Sequence, residues 1–207
     1  MILVSRVSFI FMLLILSTSC KSQEETVTEV NLKECINEKV NNDIKGAYGK
    51  EPFDFYKFIL EIENKLTEEK VLTNNKKESY LNLLKEIQKS QSLKHNEARK
   101  KLIKISDQYG FGFNLFTIND AIFNQCPYKA SKDNKDGEGK LIYSQGVILN
   151  KLMAQGYSNE PLLKELINIT DDGNFEKIVY RAPIILLVMI NLDNKYNPDL
   201  KQFKEQQ

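Results

Sequence analysis

Seven apolar residues follow one another without a break from Ile184 to Ile190, directly after Pro183. Past the N-terminal segment, the rest of the chain mixes apolar and polar positions. A run with no polar side has nothing to give to water, so any fold must enclose it all round. Its length suits a central helix or a buried strand, and periodicity alone does not separate the two. Its surroundings favour a helix, because the neighbouring segments read as helical and no partner strand is evident. The run is then the innermost element, where a charge at Leu187 is expected to unfold the domain.

Elsewhere the pattern is that of amphipathic helices. Val27, Val30, Cys35, Ile36, Val40 and Ile44 recur at three- to five-residue steps, which predicts a helix stopping near Gly46. Pro52 suits the first turn of a second, carrying Phe53, Tyr56, Ile59, Leu60 and Leu66. Tyr80, Leu81, Leu84 and Ile87 mark a third; Leu93, Ala98, Leu102, Ile105 and Tyr109 mark a fourth that ends at Gly110. The aromatic, glycine-punctuated stretch 110–116 reads as a packed turn into a short helix, from near Thr117 to just before Pro127. The tract from Lys129 to Lys140 has no apolar periodicity and reads as a surface loop. Leu141, Tyr143, Ile148, Leu149 and Leu152 predict a helix to Gly156. Ser158 or Asn159 can cap the next, opened by Pro161, and Asp171-Asp172-Gly173 then turns the chain. The expected fold is all-α: seven or eight helices in a single irregular bundle or paired-helix array, with no fixed-period repeat.

The first residues read as a secretion signal: Arg6, then an apolar run from Val7 to Leu16 that is short of the roughly 20 residues needed to span a bilayer. The segment Leu16-Ser17-Thr18-Ser19-Cys20 resembles the lipobox of bacterial lipoproteins, although Ser17 stands where that motif prefers Leu. The resemblance implies cleavage before Cys20, acyl chains including palmitate on that cysteine, and attachment to a membrane through them. Ser17 and Ser19 equally suit ordinary signal peptidase, which would leave Cys20 unlipidated. Lys21, Glu24 and Glu25 are similar to the Lys-plus-acidic stretch that follows the cysteine in surface-exported lipoproteins of the Bacteroidota. That likeness implies the outer membrane, with surface exposure as a further expectation, while the same residues also suit a plain solvated tether. The expected organisation is a signal peptide over 1–19, the lipidated cysteine and a flexible tether over 20–29, and a helical domain over 30–207.

Loss of 1–19 removes one charge, Arg6, and leaves 28 basic against 28 acidic side chains. No overall field favours nucleic acid, so none is expected as a partner. Three cysteines are an odd set in an exported chain, made even once Cys20 carries lipid. Cys35 and Cys126 then either form a disulfide or remain separate buried thiols.

No residue is assigned a catalytic, cofactor-binding or metal-binding role. His95, the single histidine, lies among Lys94, Arg99, Lys100, Lys101 and Lys104 with no orienting carboxylate in view. The loops ending at Gly137 and Gly173 fail as calcium loops, since Tyr143 and Val179 occupy their closing acidic positions. Gly110-Phe-Gly112 and Gly137-Glu-Gly139 each lack a third glycine for a nucleotide loop. Glu61, Glu63, Glu165 and Asp172 are carboxylates of no special pattern. From Lys76 to Lys104, however, nine basic residues face three acids, a helical hairpin suited to anionic lipid, to an acidic partner, or to plain solvation. The expected role is a helical binding or assembly module with a protein partner and no cofactor. Alternatives are an envelope hydrolase working through carboxylates, or a small protective (immunity) lipoprotein.

Overall fold

The computed structural model describes residues 25–48, 51–89, 91–110, 121–132 and 137–197. Residues 1–24, with the signal and Cys20, lie outside the described residues, as do the glycine-aromatic stretch 111–116 and the predicted helix start at Thr117. Within the described residues the fold is an all-α bundle of nine α-helices, without strands. They are α1 (Val27–Tyr48), α2 (Phe55–Glu68), α3 (Lys77–Lys89), α4 (Leu93–Gln108), α5 (Cys126–Ser131), α6 (Glu138–Gln155), α7 (Glu160–Ile169), α8 (Asp172–Phe175) and α9 (Ile178–Tyr196). A π-helical turn, Ala121–Gln125, leads into α5.

The apolar run is helical, and α9 is the centre of the molecule. Ile184 to Met189 are each 0 % exposed. Burial of such side chains contributes about 1.5–3 kcal/mol apiece, which outweighs the roughly 3 kcal/mol that Pro183 costs inside a helix. Helices α1, α2, α3, α4 and α8 pack on α9, while α5, α6 and α7 form a layer closed by α1 on one side and α3 on the other.

Local chemistry sets the ends. Thr26 and Glu29 form a reciprocal capping box: the Thr26 N–H donates to Glu29 Oε2 at 2.9 Å and the Glu29 N–H to Thr26 Oγ1 at 3.3 Å. Helix α1 therefore begins at Val27, and residues 27–29 are helical instead of part of a flexible tether. It also runs past Gly46 to Tyr48. The second helix starts later than Pro52 predicts, because Asp54 accepts from the N–H groups of Tyr56 and Lys57. Asn41 brackets Phe53, accepting from its N–H and donating to its carbonyl at 2.8 Å each, and Asn37 accepts from the Phe55 N–H at 2.8 Å. Those two asparagines, one turn apart, fix the angle between α1 and α2.

The helix predicted to stop before Pro127 does not stop there: the π-helical turn Ala121–Gln125 runs straight into α5, which carries Pro127 in its first turn. Lys129 to Ser131 are helical too, so the predicted loop shrinks toward 132–137, of which 133–136 lie outside the described residues. Gly146 lets α6 close on α5: a Cβ there would stand 2.9 Å from the Pro127 Cβ. Gly110 (φ 87°) ends α4 in the left-handed region, as predicted, and α6 stops at the predicted Gly156, which also has a positive φ of 104°. Asn159 caps α7, and Asp171 caps α8 where a bare turn was expected.

Cys35, in the third turn of α1, and Cys126, at the start of α5, are joined by a disulfide with their Cα atoms 5.6 Å apart. A second tie crosses the core. Arg181 of α9 donates from Nε and Nη2 to the two oxygens of Glu63 at 2.8 and 2.9 Å, and from Nη1 to the carbonyls of Phe175 and Glu176. The Tyr80 hydroxyl also donates to Glu63. Burial pushes the Arg181 pKa down, but the hydrogen-bonded Glu63 carboxylate outweighs it and holds the guanidinium charged. With every group paired, this buried cluster fixes how α2, α3, α8 and α9 meet.

Candidate functional site at the far end of the central helix

Helix α9 has a base and a far end, roughly 28 Å apart for 19 residues at about 1.5 Å each. At the base, Lys177 Nζ lies 2.8 Å from Glu29 Oε1, so the first turn of α1 docks where α9 begins. At the far end α9 is stitched to α3 and α4. The Ser92 N–H donates to the Tyr196 hydroxyl at 2.8 Å, and Arg99 donates from Nε to Asp193 Oδ1 at 2.8 Å. Lys195 Nζ donates to the Gln88 carbonyl at 3.1 Å.

Between these elements opens a cleft of about 260 Å³, lined by Gln91, Ser92, Leu93, Asn96 and Tyr196. All five are uncharged. The lining offers two side-chain amides, a hydroxyl, a phenol ring and one apolar anchor. That anchor, Leu93, is 84 % exposed, although its spacing assigns it to the inner face of the fourth helix. It stands at the first position of α4, before the helix has a neighbour to bury against.

His95 lies one residue from Asn96 and is buried. Its Nδ1 faces the Tyr196 hydroxyl at 3.5 Å, its Nε2 faces Glu86 Oε2 at 3.8 Å, and its ring meets that of Tyr196 edge-on at 6.3 Å. A carboxylate is thus in view after all, but both separations exceed those of a tight relay. Burial lowers the imidazole pKa; the Glu86 charge opposes it and Lys94 adds to it. The group is a neutral ring that seats Tyr196 at the cleft wall.

The carboxylates without pattern are used singly. Glu63 is the partner of Arg181, Glu61 accepts from the Tyr109 hydroxyl at 2.8 Å, Asp172 pairs with Lys77 at 2.8 Å, and Glu165 is exposed. The basic excess between Lys76 and Lys104 is met in part by acids from elsewhere: Lys76 with Glu176, Lys85 with Glu160, Arg99 with Asp193 and Lys101 with Glu69. Helices α3 and α4 also pack chiefly on α9, and not on each other as a hairpin. Among the described residues no three His, Cys, Asp or Glu side chains gather as they would around a metal ion, and no helix is long and apolar enough to cross a membrane. No family model, no curated protein and no solved structure matches the chain.

The cleft was not legible in the sequence, because Tyr196 and Ser92 meet across more than a hundred positions. The Thr26–Glu29 box was legible, as a Thr-x-x-Glu before an apolar run. Arg181, three residues before the run at the heart of the core, was the other available signal, since a cation there needs a buried acid.

Proposed function

We propose that this chain is an envelope lipoprotein, anchored by lipid on Cys20, whose helical domain is a binding module presenting the cleft at the far end of α9 to a protein partner. One observation carries the reading: the cleft opens at the end of α9 opposite the turn of α1 from which the anchor segment departs. A tethered domain thereby keeps its uncharged, apolar-tipped cleft clear of its own attachment. The cleft chemistry suits a peptide segment, with Leu93 and the Tyr196 ring as apolar contacts and the amides of Gln91 and Asn96 matching main-chain amides. The Cys35–Cys126 disulfide supports export, because such bonds persist outside the reducing cytoplasm.

The test is affinity capture from envelope extracts with the chain from residue 20 onward, run beside a Leu93→Asp variant. Leu93 is exposed, so this change is expected to leave the melting temperature within about 2 °C and to cut recovery of the captured protein at least about tenfold. Equal recovery by both chains would contradict the cleft as the site; hydrolysis of an envelope polymer by the chain would contradict the binding role.

A further inference from the structure

The two walls of the cleft are joined at one phenol oxygen. Ser92, Leu93 and Asn96 line one side from the start of α4, and Tyr196 lines the other from the end of α9. The Ser92 N–H donates to the Tyr196 oxygen at 2.8 Å, and the Asn96 N–H donates to the Ser92 carbonyl at 3.1 Å. That oxygen therefore holds the whole first turn of α4. His95 belongs to the same turn, is only 4 % exposed, and turns its Nδ1 to the same hydroxyl at 3.5 Å.

The surroundings choose the neutral form of the ring. Nε2 faces the Glu86 carboxylate at 3.8 Å and carries the proton, so Nδ1 keeps its lone pair. The Tyr196 O–H points to that lone pair while its oxygen accepts from Ser92. Protonation ends this arrangement. A proton from water joins Nδ1, which becomes an N–H and stops accepting. It then aims a second donor at the oxygen that Ser92 already uses, and the tyrosine, still neutral, must turn its own proton elsewhere. At the other nitrogen the charged ring is drawn toward Glu86.

The other charged groups of the packed elements are engaged. Lys94, beside His95, donates to the Lys70 carbonyl beyond α2, where Glu69 pairs with Lys101. Arg99, one turn on, holds Asp193 of α9, and Lys195 of α9 donates to the Gln88 carbonyl of α3. Burial opposes the charged ring most, Glu86 favours it and Lys94 opposes it, so the change falls in acid, below the ordinary 6.5.

We infer that His95 is an acid-sensitive latch on the cleft: protonation of its ring removes the acceptor facing the Tyr196 O–H, weakens the Ser92–Tyr196 bond and loosens the two walls. The inference rests on the cleft as the binding site and gives that site a regulator. A partner seated on Leu93 and the Tyr196 ring is held at neutral pH and released in acid.

The test is nuclear magnetic resonance of the chain from residue 20 onward between about pH 7.5 and about pH 5, reading the His95 ring nitrogens and the Ser92 backbone amide. At the upper pH the proton is expected on Nε2; on acidification the Ser92 amide is expected to follow the ring, with one midpoint below 6.5. Tyr196→Phe keeps the ring and removes the hydroxyl, and is expected to at least halve the Ser92 shift. Glu86→Gln, at an exposed side chain, is expected to lower the shared midpoint at an unchanged melting temperature. A neutral ring protonated on Nδ1, or a Ser92 shift undiminished in Tyr196→Phe, would overturn the latch. Recovery of the protein captured from envelope extracts is expected to fall about threefold to tenfold from the upper pH to the lower, as for one lost hydrogen bond. Equal recovery at both would overturn the regulation. Failure of the binding reading is separate: nothing is recovered at either pH, whatever the ring and Ser92 show.

Discussion

Val27, Leu93 and Tyr143 each fit a helical apolar spacing, and each stands exposed: 77, 84 and 51 %. Spacing reports which face a residue is on; depth depends on whether a neighbour covers that stretch of helix, and at these positions none does. At Leu93 the departure falls where a partner is proposed, where local rules are expected to give way to function. His95 shows the opposite departure, a polar-looking residue that is buried. Folding lowers its pKa, so the folded domain takes up that proton less readily than the unfolded chain. Its contribution is complete above the ordinary value near 6.5 and is lost as pH falls below it. Melting temperature measured from about pH 7.5 down to about pH 5 is expected to fall, and His95→Gln to flatten that part of the profile. An unchanged slope in the variant would contradict the assignment. At Glu29 burial pushes the carboxyl up, but Lys177, Thr26 and Tyr180 together hold it below its ordinary 4.5, so its loss comes at lower pH.

At the scale of elements, the longer helices and some of their ends were readable, because each depends on neighbours in sequence. The positive-φ glycines after α4 and α6 and the Asn159 cap are of this kind. The start of α2 moved for a local reason, the Asp54 cap, and for a distant one, the hold of Asn37 and Asn41 of α1 on Phe55 and Phe53, which no reading along the chain supplies. The sequence left Cys35 and Cys126 as either a pair or two thiols, since only the docking of α5 on α1 brings them together. Their disulfide closes a loop with a sequence separation of 91 residues. On the chain-entropy model it contributes about 4–5 kcal/mol. Cys35→Ala with Cys126→Ala is expected to lower unfolding free energy in urea by about that amount, and a change under about 1 kcal/mol would contradict the tie.

For the whole molecule, the unbroken run at Ile184 was the strongest guide, since nothing but the centre of a bundle accommodates it. What no reading along the chain supplies is direction. Only the folded arrangement sets α1 at one end of α9 and the cleft at the other, and the proposed role depends on that polarity. Attachment at the base is therefore the central claim, and it is decided at one residue. The measurement is the intact mass and N-terminal peptide of the protein purified from cell envelopes. The account predicts a mature chain beginning at Cys20 and carrying acyl chains on that residue; an unmodified Cys20, or a chain that keeps residues 1–19, would contradict it.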